Sequence, residues 1–314
     1  MRIGIDVGGT KIEGVLLDDS SSERQRVRVP TPAGDYRQTL AAVSDLVARL
    51  EVDTVGAATV GVGIPGAISP TTGLVKNANA TWLIGRPLHR DLEAILARPV
   101  RLANDANCFA VSEAVDGAGA DAHIVFGVIL GTGVGGGIAI KSQVWSGANA
   151  IAGEWGHNPL PWREAADPPA ELCYCGRSGC IETYLSGSGL ARAYRSAGGA
   201  DDSEGKVDAA SIGAWAEQGE AAAIVCLDAY AGRLARALAS VINIVDPDVI
   251  VLGGGLSNIA RLYDKVPRLW QRWVFSDRVT TALRRNQHGD SGGVRGAAWL
   301  WPALSSPAAS EAQR

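Results

Sequence analysis

A strand, a glycine-rich turn and a second strand occur twice in this chain, once in each half. In the first half, an apolar run at residues 3–7 carries Asp6 and leads into Gly8-Gly9-Thr10-Lys11, and residues 12–17 continue as an apolar strand. In the second half, residues 124–130 lead into a glycine loop at 131–137, and residues 138–140 follow as a strand. An internal repeat of this kind predicts two related α/β lobes with a cleft between them.

Both glycine loops are candidates for phosphate binding. A strand follows each loop, whereas a helix follows the Walker loop, so these loops belong to a different class. In the first loop, backbone N–H groups and the Thr10 hydroxyl are candidates to line a phosphate, with Asp6 holding Mg²⁺ through water. The alternative is a plain Gly-Gly hairpin turn, which needs neither side chain.

The second glycine loop also matches the spacing of the dinucleotide-binding fingerprint, through Gly131, Gly133 and Gly136. That fingerprint requires a helix directly after the loop, and residues 138–140 favour a strand, so we reject it. A third glycine run, Gly253-Gly254-Gly255, follows the apolar strand predicted at residues 248–252. It is a candidate for contact with adenosine.

Three of the five cysteines and one of the four histidines fall within residues 154–182. Cys173, Cys175 and Cys180, with His157 upstream, provide three sulfurs and one imidazole, the ligand set of a closed tetrahedral zinc site. These ligands fill all coordination positions, so they predict a structural zinc ion rather than one that activates water. The alternatives are a redox or free-thiol cluster and, for His157, a hydrogen-bonded core histidine.

An apolar strand at residues 99–103 runs into Asn104-Asp105, and a helix is predicted at residues 109–115. Asparagine and aspartate are favoured N-caps, so helix capping is one interpretation of the pair. The other interpretation is a general base presented at the end of a strand, beside a helix N-terminus. The glycine loops and the histidine–cysteine cluster elsewhere in the chain favour the second interpretation.

The composition excludes several classes of partner. Hydrophobic residues make up 46% and charged residues 20% of the chain, and the formal net charge is −4. This mild acidity gives no reason to expect nucleic acid or an anionic membrane as a partner. Asp6 interrupts the apolar core that a signal peptide needs, and the uncharged stretch at 122–140 is too rich in glycine for a membrane span. Three of the five cysteines are assigned to metal binding, so we expect the protein to reside in the reducing environment of the cytoplasm.

Together these motifs resemble those of the ROK family of sugar kinases, over nearly the whole chain. Residues 6–11 are similar to the family's first phosphate loop, and residues 130–133 to its second. Glu154-Trp155-Gly156-His157 and Cys173-x-Cys175-Gly176-x-x-Gly179-Cys180 match its signature. The insert between His157 and Cys173 is longer than in many members of the family.

Within the family, the segments 75–79, 154–162 and 288–291 are most similar to bacterial fructokinases, also described as manno(fructo)kinases. Residues 130–137 are more similar to N-acetylglucosamine kinases. The resemblance therefore implies a sugar kinase more strongly than it implies one particular sugar.

The resemblance implies the actin-like ATPase (ribonuclease H-like) fold, a duplicated α/β architecture with two lobes around a catalytic cleft. The implied N-terminal lobe covers residues 1–119 and is completed by a C-terminal helix spanning residues 289–304. The larger C-terminal lobe covers residues 120–288 and carries the zinc-binding loop. Residues 305–314 have the composition of a disordered tail.

The resemblance also implies which residues contact the substrates. The implied sugar contacts are Gly66, Asn79, Asn104, Asp105, Glu154, His157 and Glu182. With the glycine-loop candidates, the predicted nucleotide and phosphate contacts are Asp6, Gly8, Gly9, Thr10, Lys11, Gly131, Thr132, Gly133, Gly254 and Gly255. The predicted metal ligands are His157, Cys173, Cys175 and Cys180.

The predicted function is transfer of a phosphoryl group from ATP, with Mg²⁺, to the C6 hydroxyl of a hexose. Asp105 is the predicted general base, because the competing carboxylate, Asp6, is assigned to Mg²⁺. The predicted sugar is fructose, with mannose as a second substrate, and an N-acetylglucosamine or glucose kinase is the alternative. The family further implies a homodimer.

Other classes of protein fit the sequence less well. Sugar-responsive repressors related to these kinases carry a DNA-binding segment ahead of the first phosphate loop, whereas Asp6 is the sixth residue here. An actin-like filament protein does not need sugar-facing Glu, His and Asp side chains. A hydride-transfer enzyme is distinguished by its nucleotide preference, and a non-catalytic sugar-sensing protein by the absence of ATP turnover.

Overall fold

The computed structural model describes residues 1–52, 54–200, 207–289 and 292–301. The tail predicted at 305–314, the end of the predicted C-terminal helix and the second half of the motif at 288–291 lie outside the described residues. Within those ranges, the structure contains no helix that combines the length and the apolar character needed to cross a bilayer.

The first half of the chain forms one mixed sheet and a small hairpin. Its strands are β1 (Arg2–Val7), β2 (Lys11–Leu17), β3 (Glu23–Pro30), β4 (Thr59–Ile64), β5 (Ala67–Ile68), β6 (Val75–Lys76) and β7 (Val100–Asn104). The large sheet has the order β3-β2-β1-β4-β7, and β5 pairs with β6. β1, β2 and β3 are antiparallel neighbours, whereas β4 and β7 run parallel to β1.

The second half repeats this sheet. Its strands are β8 (Ile124–Leu130), β9 (Val134–Ile140), β10 (Gln143–Val144), β11 (Val249–Gly253) and β12 (Ala282–Arg285). The order is β10-β9-β8-β11-β12, with β8–β10 antiparallel and β11 and β12 parallel to β8. The two sheets share strand order and direction, so the repeat predicted from the glycine loops is confirmed.

The extent of the second glycine loop was predicted wrongly. β9 begins at Val134 rather than at residue 138, because Val134 already pairs with Leu130 and Gly137 pairs with Gly127. The loop therefore contains only residues 131–133, and the following glycines belong to the strand. At these positions the absence of side chains allows close packing: a Cβ on Gly135 would lie 3.3 Å from the Ala106 Cβ.

The helices cover the outer faces of the sheets and fill the space between them. They are α1 (Tyr36–Leu50), α2 (Leu88–Leu96), α3 (Asp105–Asp116), α4 (Ile181–Leu185), α5 (Gly187–Ser196), α6 (Ala209–Glu217), α7 (Ala221–Val245), α8 (Arg261–Trp270) and α9 (Gly292–Ala298). The apolar spacing of residues 36–50, 88–96 and 221–245 predicts helices there, and α1, α2 and α7 have these bounds.

α3 and α9 lie between the two sheets. One buried cluster joins Val15 and Leu17 of β2 to Phe109 of α3, Val125 of β8 and Val294 of α9. α9 packs on β1, β2 and β4 as well as on α3. The boundary predicted at residues 119 and 120 lies in the segment between α3 and β8 and stays a prediction. His288, from the motif at 288–291, places its Nε2 2.8 Å from Asp116 Oδ1 at the end of α3.

Candidate active site

The predicted sugar contacts converge on one cavity, at the carboxyl ends of β4, β7 and β8. The cavity lining includes every predicted sugar contact: Gly66, Asn79, Asn104, Asp105, Glu154, His157 and Glu182. The second glycine loop, Gly131, Thr132 and Gly133, lines the same cavity. Strand ends that carry polar residues beside a glycine loop are a common setting for ligand binding in α/β folds.

Gly66 occupies a position where only glycine fits. Its φ is +139°, a conformation that L-residues rarely adopt, and a Cβ there would lie 2.7 Å from the Lys76 carbonyl oxygen. The turn after β4 therefore stays narrow, and this brings the segment 76–79 to the edge of the cavity.

Asn104 and Asp105 have different structural roles. The Asn104 side chain caps α3, accepting hydrogen bonds from Ala106 N–H at 2.8 Å and Asn107 N–H at 3.3 Å. The helix therefore begins at Asp105 rather than at the predicted residue 109, because the cap precedes it. Capping thus explains Asn104, but it leaves Asp105 as a separate carboxylate that lines the cavity.

The Asp105 carboxylate has an unusual pKa. Burial raises the pKa of Asp105 from 3.8 to about 6. The hydrogen bond from Ala106 N–H opposes this increase, and the negative charge of Glu154 adds to it. A carboxylate of this kind is still ionised at neutral pH and is more basic than a free aspartate. These are the properties that general-base catalysis requires near pH 7.

Asp6 lies close to Asp105 and is suited to a metal ion. Burial and the neighbouring charge of Asp105 raise the pKa of Asp6 to about 7. No residue in the described part of the chain donates a hydrogen bond to the Asp6 carboxylate, and Gly63 and Gly293 leave space beside it. A buried carboxylate without a donor is a suitable oxygen ligand for Mg²⁺ or for its water shell.

Glu182 connects the second glycine loop to the cysteine cluster. Its Oε2 accepts a hydrogen bond from Val134 N–H at 2.9 Å, and its Oε1 lies 3.8 Å from Cys173 Sγ. A Cβ on Gly133 would lie 2.7 Å from Glu182 Oε2, so a side chain there would displace the carboxylate from this position beside the loop. Glu182 therefore forms part of the cavity wall and also contacts the second glycine loop.

The predicted metal ligands form a compact cluster. A tetrahedral zinc ion with metal–sulfur distances of about 2.3 Å and a metal–nitrogen distance of about 2.0 Å requires sulfur–sulfur separations of about 3.8 Å and sulfur–nitrogen separations of about 3.5 Å. Cys175 Sγ and Cys180 Sγ are 3.6 Å apart, and Cys173 Sγ is 3.6 Å from His157 Nδ1. All of these ligand atoms lie within 4.8 Å of one another. The donors and their spacing therefore fit zinc.

Tyr174 is a candidate site residue that the sequence did not reveal. It lies between two of the cysteines, lines the cavity, and places its hydroxyl 3.0 Å from His157 Nε2. With zinc bound at Nδ1, Nε2 would carry the proton and would donate a hydrogen bond to the Tyr174 hydroxyl. His157 is also a predicted sugar contact, and in the structure its Nε2 already has Tyr174 as a protein partner.

The long insert after His157 is held by buried ion pairs. Asp167 accepts hydrogen bonds from Arg236 at 2.6 and 2.8 Å and from Arg233 at 3.3 Å, and each of these side chains is at most 5% exposed. Arg236 also donates to the Trp162 carbonyl at 2.6 Å. Both arginines lie on α7, so the insert that precedes the cysteines is fixed to the longest helix of the second lobe.

The remaining predicted nucleotide contacts lie outside this cavity. Gly8, Gly9, Thr10 and Lys11 form the tight turn between β1 and β2, and Lys11 Nζ lies 3.3 Å from Glu13 Oε2. Gly254 has a φ of +78° and packs against the Leu130 carbonyl, so the third glycine run adjoins the second. Gly254 lines one neighbouring cavity and Gly255 another.

Known proteins resemble this chain over nearly its whole length. The sequence profile of the ROK family matches residues 2–303. The chain is 41% identical over 304 residues to the N-acetyl-D-glucosamine kinase of Citrobacter koseri, which covers 96% of this chain and 99% of that protein.

Solved structures agree with this assignment. The ROK hexokinase of Thermus thermophilus superimposes with a TM-score of 0.80 at 29% identity, covering 95% of this chain and 96% of that one. A ROK glucokinase from Streptomyces griseus, solved with glucose and AMPPNP, gives a TM-score of 0.74 at 28% identity, with 95% and 97% covered. These likenesses confirm the predicted fold class, the duplicated two-lobe α/β fold of the actin-like ATPases.

Proposed function

This chain belongs to the ROK family and is an ATP-dependent sugar kinase, and we propose that the sugar it phosphorylates is N-acetyl-D-glucosamine. Fructose was the sugar expected from the sequence, with N-acetylglucosamine as the alternative. The alternative is better supported, because relatives 40–41% identical over 96% of the chain carry the name N-acetyl-D-glucosamine kinase.

The placement of Asp105 is the observation that supports phosphoryl transfer to a sugar hydroxyl. Its carboxylate shares one cavity with the second glycine loop and with Glu154, His157 and Glu182. A phosphoryl acceptor held by the polar side chains would thus have its hydroxyl between a base and a phosphate loop. This arrangement is what transfer to an alcohol requires.

Asp105 is the proposed general base. As the C6 oxygen of the sugar attacks the γ-phosphorus of ATP, its proton passes to the Asp105 carboxylate and the bond from phosphorus to the ADP oxygen breaks. Thr132 and the loop backbone are proposed to bind the phosphates; Gly131 N–H already donates to the Gly133 carbonyl at 3.0 Å, so it serves the turn instead. Mg²⁺, which enters with ATP, neutralises phosphate charge, and Asp6 is the proposed carboxylate that faces it.

The cysteine cluster is proposed to hold structural zinc. His157, Cys173, Cys175 and Cys180 would then fix the loop that carries His157 and Tyr174 into the wall of the sugar site. The hydrogen bond between these two side chains would keep the imidazole in one orientation. Gly66, Asn79 and Asn104 are proposed to complete the sugar site from the first lobe. We further propose a cytoplasmic homodimer, as expected for the family.

A coupled assay of ADP release tests the proposal. N-acetyl-D-glucosamine, D-glucose, D-mannose and D-fructose are compared at saturating MgATP. We expect the highest kcat/KM for N-acetyl-D-glucosamine. A preference for fructose would restore the expectation from the sequence, and ADP release that no sugar stimulates would contradict a sugar kinase.

A further inference from the structure

A second cavity opens beside the sugar site, on the side away from Asp105. Its volume is about 820 Å³, and it shares Asn77, Asn79, Glu154, His157 and Tyr174 with the sugar site. Neither Asp105 nor the second glycine loop lines it. This cavity, called the side cavity below, therefore extends the sugar site away from the end where phosphoryl transfer is proposed.

Two isoleucines line the side cavity from opposite lobes. Ile84 directly follows Leu83, which is buried in the core of the first lobe, and Ile151 lies between β10 and Trp155 in the second. Their exposed fractions are 48% and 45%. An apolar group of a ligand bound in the side cavity would contact these two side chains and cover their exposed surface.

One contact already joins the two segments that carry the isoleucines. Lys76, in β6 of the first lobe, donates from Nζ to the Asn149 carbonyl at 2.8 Å. Asn149 precedes Ile151 by two residues, so this hydrogen bond holds the Ile151 segment against the first lobe. The side cavity that both isoleucines line therefore lies between two segments that already contact each other.

The geometry of a pyranose ring decides which sugar group faces the side cavity. C2 and C5 lie opposite each other across the ring, and C6 is attached to C5. With the C6 hydroxyl at Asp105, the C2 substituent points to the far side of the site, where Glu154 and His157 are shared by both cavities. In N-acetyl-D-glucosamine this substituent is an acetamide, which combines one methyl group with an amide N–H and a carbonyl.

We propose that the side cavity receives the 2-acetamido group and that Ile84 and Ile151 contact its methyl group from the two lobes. Thr81 and Asn158, which also line the side cavity, offer a hydroxyl and an amide to the polar atoms of the acetamide. The inference rests on the proposed function, because it names the residues that make N-acetyl-D-glucosamine the preferred sugar. Glucose, which has a hydroxyl at C2, would leave the two isoleucines without a partner.

The test measures selectivity in Ile84→Ser and Ile151→Ser. The kcat/KM for N-acetyl-D-glucosamine is compared with that for D-glucose, or with the inhibition constant of D-glucose where it is not turned over. Loss of one apolar contact to a methyl group is expected to lower the selectivity about 10-fold in each variant. The matched control is Ile95→Ser, on α2, because Ile95 is 44% exposed and does not line the side cavity.

The outcomes separate this inference from the proposed function. Lower selectivity in both variants, with the control unchanged, supports the acetamide site. If wild-type protein prefers N-acetyl-D-glucosamine and both variants keep that preference, the inference is overturned and the proposed function stands. If wild-type protein prefers another hexose, the proposed function fails and the inference fails with it. Thr81→Trp, which fills the side cavity, should reject N-acetyl-D-glucosamine and spare glucose.

Discussion

Replacing Asp105 by asparagine separates the charge of this side chain from its structural contacts. Asparagine has nearly the same shape, and its Oδ1 can still accept the 2.8 Å hydrogen bond from Ala106 N–H. The Asn104 cap is also unchanged. Only the proton-accepting carboxylate is lost, so we expect turnover to fall by about 10²–10⁴. This corresponds to a rise of about 3–5 kcal/mol in the activation free energy.

The same substitution is expected to stabilise the fold at alkaline pH. The pKa of Asp105 rises from 3.8 to about 6 on folding, chiefly through burial, so ionisation costs free energy in the folded state. The stability contribution of this group is complete below the unfolded pKa and is lost as pH rises through about 6. A shift of about two units corresponds to about 3 kcal/mol. Because the side chain faces the open cleft, we expect about 1–3 kcal/mol at pH 8.

Three measurements test Asp105→Asn together. ADP release gives kcat, calorimetry gives the sugar affinity, which should survive, and thermal melting at pH 8 gives the change in stability. In the wild type, kcat/KM should fall tenfold per pH unit below about pH 6, because protonation removes the base. Asp45→Asn, on the exposed face of α1, is the control. A variant that retains more than a tenth of the turnover, or that melts at a lower temperature, would refute the assignment of Asp105 as a buried general base.

The other predictions concern the loop that carries the cysteines. Cys175→Ser removes one of the proposed zinc ligands, so metal analysis should find less than one zinc per chain and the sugar KM should rise; full zinc content with an unchanged KM would contradict the structural role. Asp167→Ala leaves Arg233 and Arg236 buried without their carboxylate and should cost about 3–5 kcal/mol of stability, measured by chemical denaturation. Because these arginines lower the Asp167 pKa against the effect of burial, this contribution is present above the unfolded pKa and is lost as pH falls through the folded pKa; equal stability of variant and wild type at neutral pH would argue against it. Tyr174→Phe removes the hydrogen bond to the imidazole and should raise the sugar KM about 2- to 10-fold with little change in kcat; a change confined to kcat would place Tyr174 in the chemical step instead.

Local patterns in the sequence predicted the repeated α/β architecture and the cysteine cluster. Strand–turn–strand units identify the repeat because they depend on neighbouring residues only, and the spacing of Cys173, Cys175 and Cys180 constrains the cluster in the same way. The start of α3 was misplaced because Asn104 both ends β7 and caps α3, so no connecting residues separate the strand from the helix. The start of β9 was misplaced because its pairing with β8 is not visible in a run of glycines.

Contacts between distant residues explain what the sequence could not predict. The hydrogen bond between His157 and Tyr174 and the ion pairs of Asp167 with α7 join positions far apart in the chain. α9 begins with two glycines and contains another, so local helix propensity disfavours it. It forms because the same small residues allow it to pack closely on α3: a Cβ on Gly296 would collide with the Cys108 carbonyl.

The sugar site has two walls, a fixed wall formed by the second lobe and a facing wall formed by the first lobe. The fixed wall, with His157 and Tyr174, is tied to the second lobe at two places, by the cysteine cluster and by the ion pairs of Asp167 with α7. The facing wall, with Asn79, Ile84 and Asp105, belongs to the first lobe. In the proposed binding mode, both lobes contact the C2 end of the hexose, through Ile84 and Ile151, and Asp105 of the first lobe contacts the C6 end. Recognition of the C2 substituent would therefore favour the lobe arrangement that also brings Asp105 to the C6 hydroxyl, so selectivity and catalysis would depend on the same closure.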